Sequence, residues 1–136
     1  MKNKIILFAG TITAVVLGIF ALAGNGPSQP SGIKRTELQR HDLVIPGREV
    51  VQVLVEFEAG AAFGKHTHPG EEVIYVTEGV LEYEVEGRSP VTLKAGDVLF
   101  IPAGTIHAAR NRSNAHSAEL ATYIIEKGKP PLVVVK

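Results

Sequence analysis

The chain has 136 residues, 14 basic and 14 acidic side chains, and no cysteine. That length accommodates one domain, and the balanced charge argues against nucleic acid or an anionic membrane surface as a partner. The lack of cysteine excludes disulfides, thiol chemistry, thiolate metal ligands and an acylated-cysteine anchor.

The first segment reads as a leader. Lys2 and Lys4 precede an uncharged, mostly apolar run from Ile5 to Ala23, and Ala21-Leu22-Ala23 fits the small-x-small cleavage pattern. Residues 1–23 are therefore expected to be a signal peptide, which would place the remainder in the periplasm or outside the cell. The run also approaches the roughly 20 residues that span a bilayer. An uncleaved membrane anchor over residues 5–23 is the alternative. Residues 24–32 contain glycine, serine and proline and read as a flexible linker. The folded domain is expected over residues 33–136, and without Lys2 and Lys4 its net charge is −2.

From there the pattern is strand after strand. Val50–Phe57 is rich in valine and bounded by Pro46-Gly47 and Ala59-Gly60. Glu72–Thr77 is apolar and β-branched. Leu81–Glu86 alternates strictly, with Leu81, Tyr83 and Val85 directed inward and three glutamates outward. Val91–Leu93 follows a turn, Val98–Ile101 reads as a buried run closed by Pro102, and Ala121–Ile125 and Leu132–Val135 complete the set. Ser113–Glu119 has no decided pattern, and no segment reads as an amphipathic helix. Short strands joined by tight turns indicate an all-β sandwich or barrel, with a jelly roll among the options. Phe57, Phe63, Tyr75, Tyr83, Phe100, Ile106 and Tyr123 are assigned mostly to the core. Arg88, Arg110 and Arg112 read as solvated loop charges.

The chemistry concentrates in Gly60-Ala-Ala-Phe-Gly-Lys-His66-Thr-His68-Pro-Gly-Glu-Glu72. Strand side chains at i and i+2 share a face, so His66 and His68 can converge. Pro69-Gly70 turns the chain and brings Glu72 back toward them. Two imidazoles and a carboxylate make a metal site plausible before any fold is assumed. Glu71 should point the other way, into solvent. His41 and His116 are assigned to the surface.

A second segment, Gly96-Asp-Val-Leu-Phe-Ile-Pro102-Ala-Gly104-Thr-Ile-His107-Ala-Ala-Arg-Asn111, completes the pattern. With both segments in view the chain closely resembles the cupin superfamily. Gly60, His66, His68, Glu72 and Gly79 match its first motif at every spacing. Gly96, Pro102, Gly104, His107 and Asn111 match its second.

The resemblance implies a cupin jelly-roll barrel of about six to eight strands. It also implies His66, His68, Glu72 and His107 as ligands of one divalent transition metal. Imidazoles with one carboxylate suit Fe, Mn, Ni, Cu or Zn and do not favour Ca or Mg. Small single-domain cupins with this ligand set look like the quercetin dioxygenase-like group. That likeness implies an oxidoreductase acting on a small oxygenated organic substrate, with Glu72 as both ligand and general base. The alternative is a non-catalytic module that binds a small ligand or metal. Gly60, Gly79, Gly96 and Gly104 are assigned to turns that need positive φ, and Asn111 to loop backbone groups. Cupin barrels commonly dimerise, and a homodimer is expected, with the 50–57 and 132–135 strands available to an interface.

Overall fold

A computed structural model describes residues 30–136. The expected signal peptide or anchor, residues 1–23, and nearly all of the expected linker lie outside the described residues. Ten strands follow in order: β1 (Ile33–Asp42), β2 (Arg48–Phe57), β3 (Ala62–Thr67), β4 (Gly70–Glu78) and β5 (Val80–Val85), then β6 (Val91–Lys94), β7 (Val98–Ile101), β8 (His107–Arg110), β9 (Ser117–Glu126) and β10 (Val133–Val134). There is no helix among the described residues. The strands pair antiparallel into two five-stranded sheets, ordered β1-β2-β9-β4-β7 and β10-β3-β8-β5-β6. This is the expected all-β jelly roll, with ten strands in place of six to eight.

Period-two burial builds the interior between the sheets. Val51, Val53, Val55 and Phe57 of β2 face Leu81, Tyr83 and Val85 of β5 and the inward side chains of β9, namely Ala121, Tyr123 and Ile125. Each such side chain, once buried, contributes about 1.5–3 kcal/mol. Leu81, Tyr83 and Val85 point inward as their alternation requires. Glu82 and Glu84 face outward, where Arg110 forms ion pairs with both.

Four sequence expectations need correction. Arg110 lies on β8, not in a loop, because the turn before it ends at Ile106. Val98–Ile101 is not buried throughout: Ile101 is buried, while Val98 and Phe100 face outward from an edge strand. Tyr75 is outward too, 46% exposed, since it lies in phase with Val73 and out of phase with Ile74. The undecided Ser113–Glu119 stretch divides at Ser117, where β9 begins.

Asn111 follows β8 and is buried. Its amide donates to the carbonyls of Phe57, Glu58 and Ala115 at 3.3, 3.1 and 2.7 Å, and its oxygen accepts from the Ser113 amide at 3.0 Å. The side chain thus takes the place of absent backbone pairing between two loops. Asn111→Ala would leave those carbonyls short of donors, and a loss of about 2–3 kcal/mol is expected. Urea denaturation measures it, and an unchanged midpoint would refute this role.

Candidate metal centre

Local geometry explains how the site residues come together. Phe63 pairs with Ala109, and His66 pairs with His107, so β3 carries one residue more than β8 across this stretch. This bulge lets Phe63 and His66, three positions apart, both point into the barrel. His68 lies just past the end of β3 and is also buried. Glu72 comes from β4 in the opposite sheet, so the cluster joins the two sheets. Glu71 is on the outer face as expected, half-buried, and His41 and His116 are exposed. Gly70 packs directly on β9: a Cβ there would overlap the Ile124 carbonyl oxygen and lie 2.7 Å from the Ile125 Cα. That close approach is what seats Glu72 at the depth of the imidazoles.

The three rings have their tautomers set by the backbone. His66 Nδ1 donates to the Gly64 carbonyl at 2.7 Å, His68 Nδ1 to Pro131 at 2.5 Å, and His107 Nδ1 to Thr105 at 2.9 Å. A carbonyl can only accept, so each Nδ1 holds a proton and each neutral ring presents a lone pair at Nε2. One nitrogen from each ring converges within 4.8 Å of the others. Glu72 Oε2 lies 3.3 Å from His68 Nε2 and 3.1 Å from His107 Nε2.

Read as ion pairs, those contacts would require protonated rings. Burial, and then the neighbouring His107, push the His66 imidazole down to about 4, so a charged ring is disfavoured at neutral pH. His68 Nε2 and Glu72 Oε2 are correspondingly buried without a hydrogen-bond partner. Burial raises the proton affinity of Glu72, but the His107 and His68 rings outweigh it and hold the carboxyl well below the usual range. Lone pairs and a carboxylate oxygen thus face one another with no donor between them. A cation satisfies all of them, and imidazole nitrogens with one oxygen suit a divalent transition metal.

Beside this cluster lies a cavity of about 20 Å³, room for little more than one water-sized group. Its wall carries groups that the sequence did not single out. Glu119 of β9 is fully buried and accepts a hydrogen bond from the Tyr83 hydroxyl. Burial, then the charge of Glu72, push the Glu119 carboxyl well above the ordinary range, against a smaller opposing effect of Arg35. Tyr123, buried and stacked at 4.6 Å on the His68 ring, is likewise pushed up by burial and by Glu72. Arg35 of β1 reaches the same cavity. Glu119 was legible in principle, being in phase with Ala121, Tyr123 and Ile125. The signal for Arg35 was its phase with the inward Ile33, on a strand the sequence reading did not place.

The cupin domain family matches residues 53–125. In sequence, the chain is 39% identical over 57 residues to dimethylsulfoniopropionate lyase DddQ of Ruegeria pomeroyi, covering 42% of this chain and 28% of that protein. It is 36% identical over 67 residues to an oxalate-binding protein of Thermotoga maritima, covering 48% of this chain and 54% of that one. The chain thus spans about half or less of the length of these relatives. In structure, an oxalate oxidase in complex with the substrate analogue glycolate superposes with a TM-score of 0.63 at 24% identity, covering 79% of this chain and 57% of that one. At that identity the likeness is one of fold.

Proposed function

The chain belongs to the cupin domain family, and on that footing we propose a metal-dependent oxidoreductase of dioxygenase-like type that acts on a small organic acid. His66, His68, Glu72 and His107 would hold one divalent transition metal. The observation that carries this reading is the convergence of buried lone pairs, two of them on atoms with no partner. When bound, such a metal supplies Lewis acidity and, for a redox-active ion, electrons for dioxygen.

The chain's own residues divide the remaining work. Glu72, held as an ionised carboxylate, serves as a ligand and is a poor base. Glu119 is the better acid–base group: it keeps its proton on the cavity wall, steadied by the Tyr83 hydroxyl. Phe63 and Leu132 line the space and keep water out. The cavity is far too small for a polycyclic flavonol, which turns the reading toward short acids. The relatives named for dimethylsulfoniopropionate and oxalate are named for small carboxylates.

The Thermotoga relative, named for binding alone, favours a second reading, a non-catalytic small-ligand module. Oxygen uptake by metal-loaded protein against a panel of short hydroxy, oxo and dicarboxylic acids separates the two. Consumption of dioxygen with one of them is expected. Binding without turnover under any divalent metal would transfer the protein to the second reading.

The proposal extends to setting and assembly. Export behind residues 1–23, or anchoring by residues 5–23, with residues 24–32 as linker, would put the domain of residues 33–136 outside the cytoplasm. Fractionation of the native cells tests that. Val73, Tyr75, Val98 and Phe100 lie together on one outer sheet face, exposed, with Val73 paired to Phe100 and Tyr75 to Val98. A homodimer burying that face is the expected assembly, and the mass in solution measures it.

A further inference from the structure

Arg35 differs from the other cations of its strand. Lys34 pairs with Glu56 at 3.1 Å, and Arg40 pairs with Glu37 and Glu49 at 2.9 and 2.6 Å. Among the described residues Arg35 forms no ion pair. Its guanidinium instead lies 5.9 Å from the centre of the Phe63 ring and 5.7 Å from that of Tyr123, donating to the Tyr123 hydroxyl at 3.2 Å. Those two rings are the ones that touch the metal cluster: Phe63 lies 4.6 Å from His66, and Tyr123 lies 4.6 Å from His68. Arg35 therefore lies one aromatic layer from the cluster, on the cavity wall, with most of its five donors uncommitted.

Charge in the cavity points to what those donors take. Glu72 offsets one charge of a divalent ion, Glu119 is neutral, and Arg35 adds a full positive charge. The loaded cavity then holds two positive charges in excess, in a space that admits only a small ligand. A guanidinium fork held flat against aromatic rings suits the two oxygens of a carboxylate.

Resting on the metal-centre reading above, we propose that Arg35 is the specificity-determining residue of the cavity. It binds a second anionic group, the carboxylate of a short dianionic acid whose other end sits at the His66–His107–Glu72 cluster. Arg35 thereby selects ligands by charge, and an acid with a neutral group at that end is discriminated against.

The test compares malonate with malonamate, which has the same shape and one charge fewer. Calorimetric titration of the metal-loaded full chain, with metal content measured on the same samples, is expected to show malonate bound about 10- to 100-fold more tightly. In Arg35→Gln that preference should collapse to within about threefold, at unchanged metal content. Arg35→Lys keeps the charge without the fork and should retain an intermediate preference. If Arg35→Gln does not fold, Arg35→Lys decides: malonate affinity should fall while malonamate affinity stays within about twofold. One metal per chain with no malonate preference in the wild type, or a preference unmoved in both variants, overturns the role of Arg35 alone. Failure of the wild type to take up metal overturns the metal-centre reading and this inference with it.

Discussion

Replacing His66 with alanine is expected to abolish stoichiometric metal binding, lowering affinity by more than the roughly 100-fold at which loss of an outer-sphere partner is felt. His66 is buried, its Nε2 points into the cluster, and its Nδ1 proton is committed to Gly64, so no other atom of the ring can substitute. The bulge in β3 places no alternative donor at that point, since Phe63 is the nearest inward neighbour on the strand. The consequence extends to stability. A ligand present at about 1,000 times its dissociation constant stabilises the folded state by about 4 kcal/mol, and the variant should lose that increment. His116→Ala is the control: exposed, and facing Glu56 and Glu78 at 3.8 and 3.5 Å, it should leave metal content and unfolding midpoint unchanged. Elemental analysis with parallel denaturation in chelator and in metal decides. Wild-type protein that takes up no stoichiometric metal, or a His66→Ala variant that still does, would sink the site.

The metal-free protein is expected to be stable only within a bounded pH range, and Glu119→Gln should widen it on the alkaline side. In the unfolded chain His66 takes a proton near its ordinary value of 6.5, whereas in the folded chain burial delays this to about 4. The unfolded state then binds more protons as pH falls. Stability present above pH 6.5 is progressively lost down to pH 4, by about 3 kcal/mol. Glu119 acts in the opposite direction. Its folded carboxyl holds a proton well above the ordinary value of 4.5, at which the unfolded one ionises. Its contribution is therefore full below 4.5 and is lost as pH rises. Between 4.5 and 6.5 the two slopes oppose each other, and above 6.5 that of Glu119 remains. Glutamine cannot ionise, and its oxygen can still accept from Tyr83. Glu119→Gln should therefore stabilise the protein at pH 8 by on the order of 2 kcal/mol, with little change at acid pH. Urea midpoints in chelator at several pH values test both halves, and parallel curves for the two proteins would refute the assignment of the buried acid.

The fold and the metal cluster were legible in different ways. Alternation disclosed β5, and valine content disclosed β2, because each buries one face on the core. The fixed spacings around His66, His68, Glu72 and His107 picked out four side chains that the barrel brings together from three strands and one loop. β1, β3 and β8 escaped the strand reading for a physical reason. β1 is an edge strand with mostly exposed side chains, β3 is interrupted by its bulge, and β8 is only four residues long. Tyr75 and Phe100 were placed wrongly because an apolar residue on an outward sheet face looks the same in sequence as one in the core. Arg35 and Glu119 were missed because charged residues are ordinarily read as solvated. Only the register of β1 with β2, and of β9 with β4, reveals that these two turn inward.

The backbone carbonyls that hold the three Nδ1 protons also make the site observable by magnetic resonance. Each trapped imidazole N–H should give its own low-field, slowly exchanging signal, visible with or without a diamagnetic metal such as zinc. The His68 signal carries more than ring orientation, because its acceptor is Pro131 and the segment just beyond pairs through Val134 with His66. Broadening of that one resonance, with the His66 and His107 signals still sharp, would report the C-terminal segment lifting from the barrel. A single proton thus provides a direct readout of whether the wall of the cavity is in place.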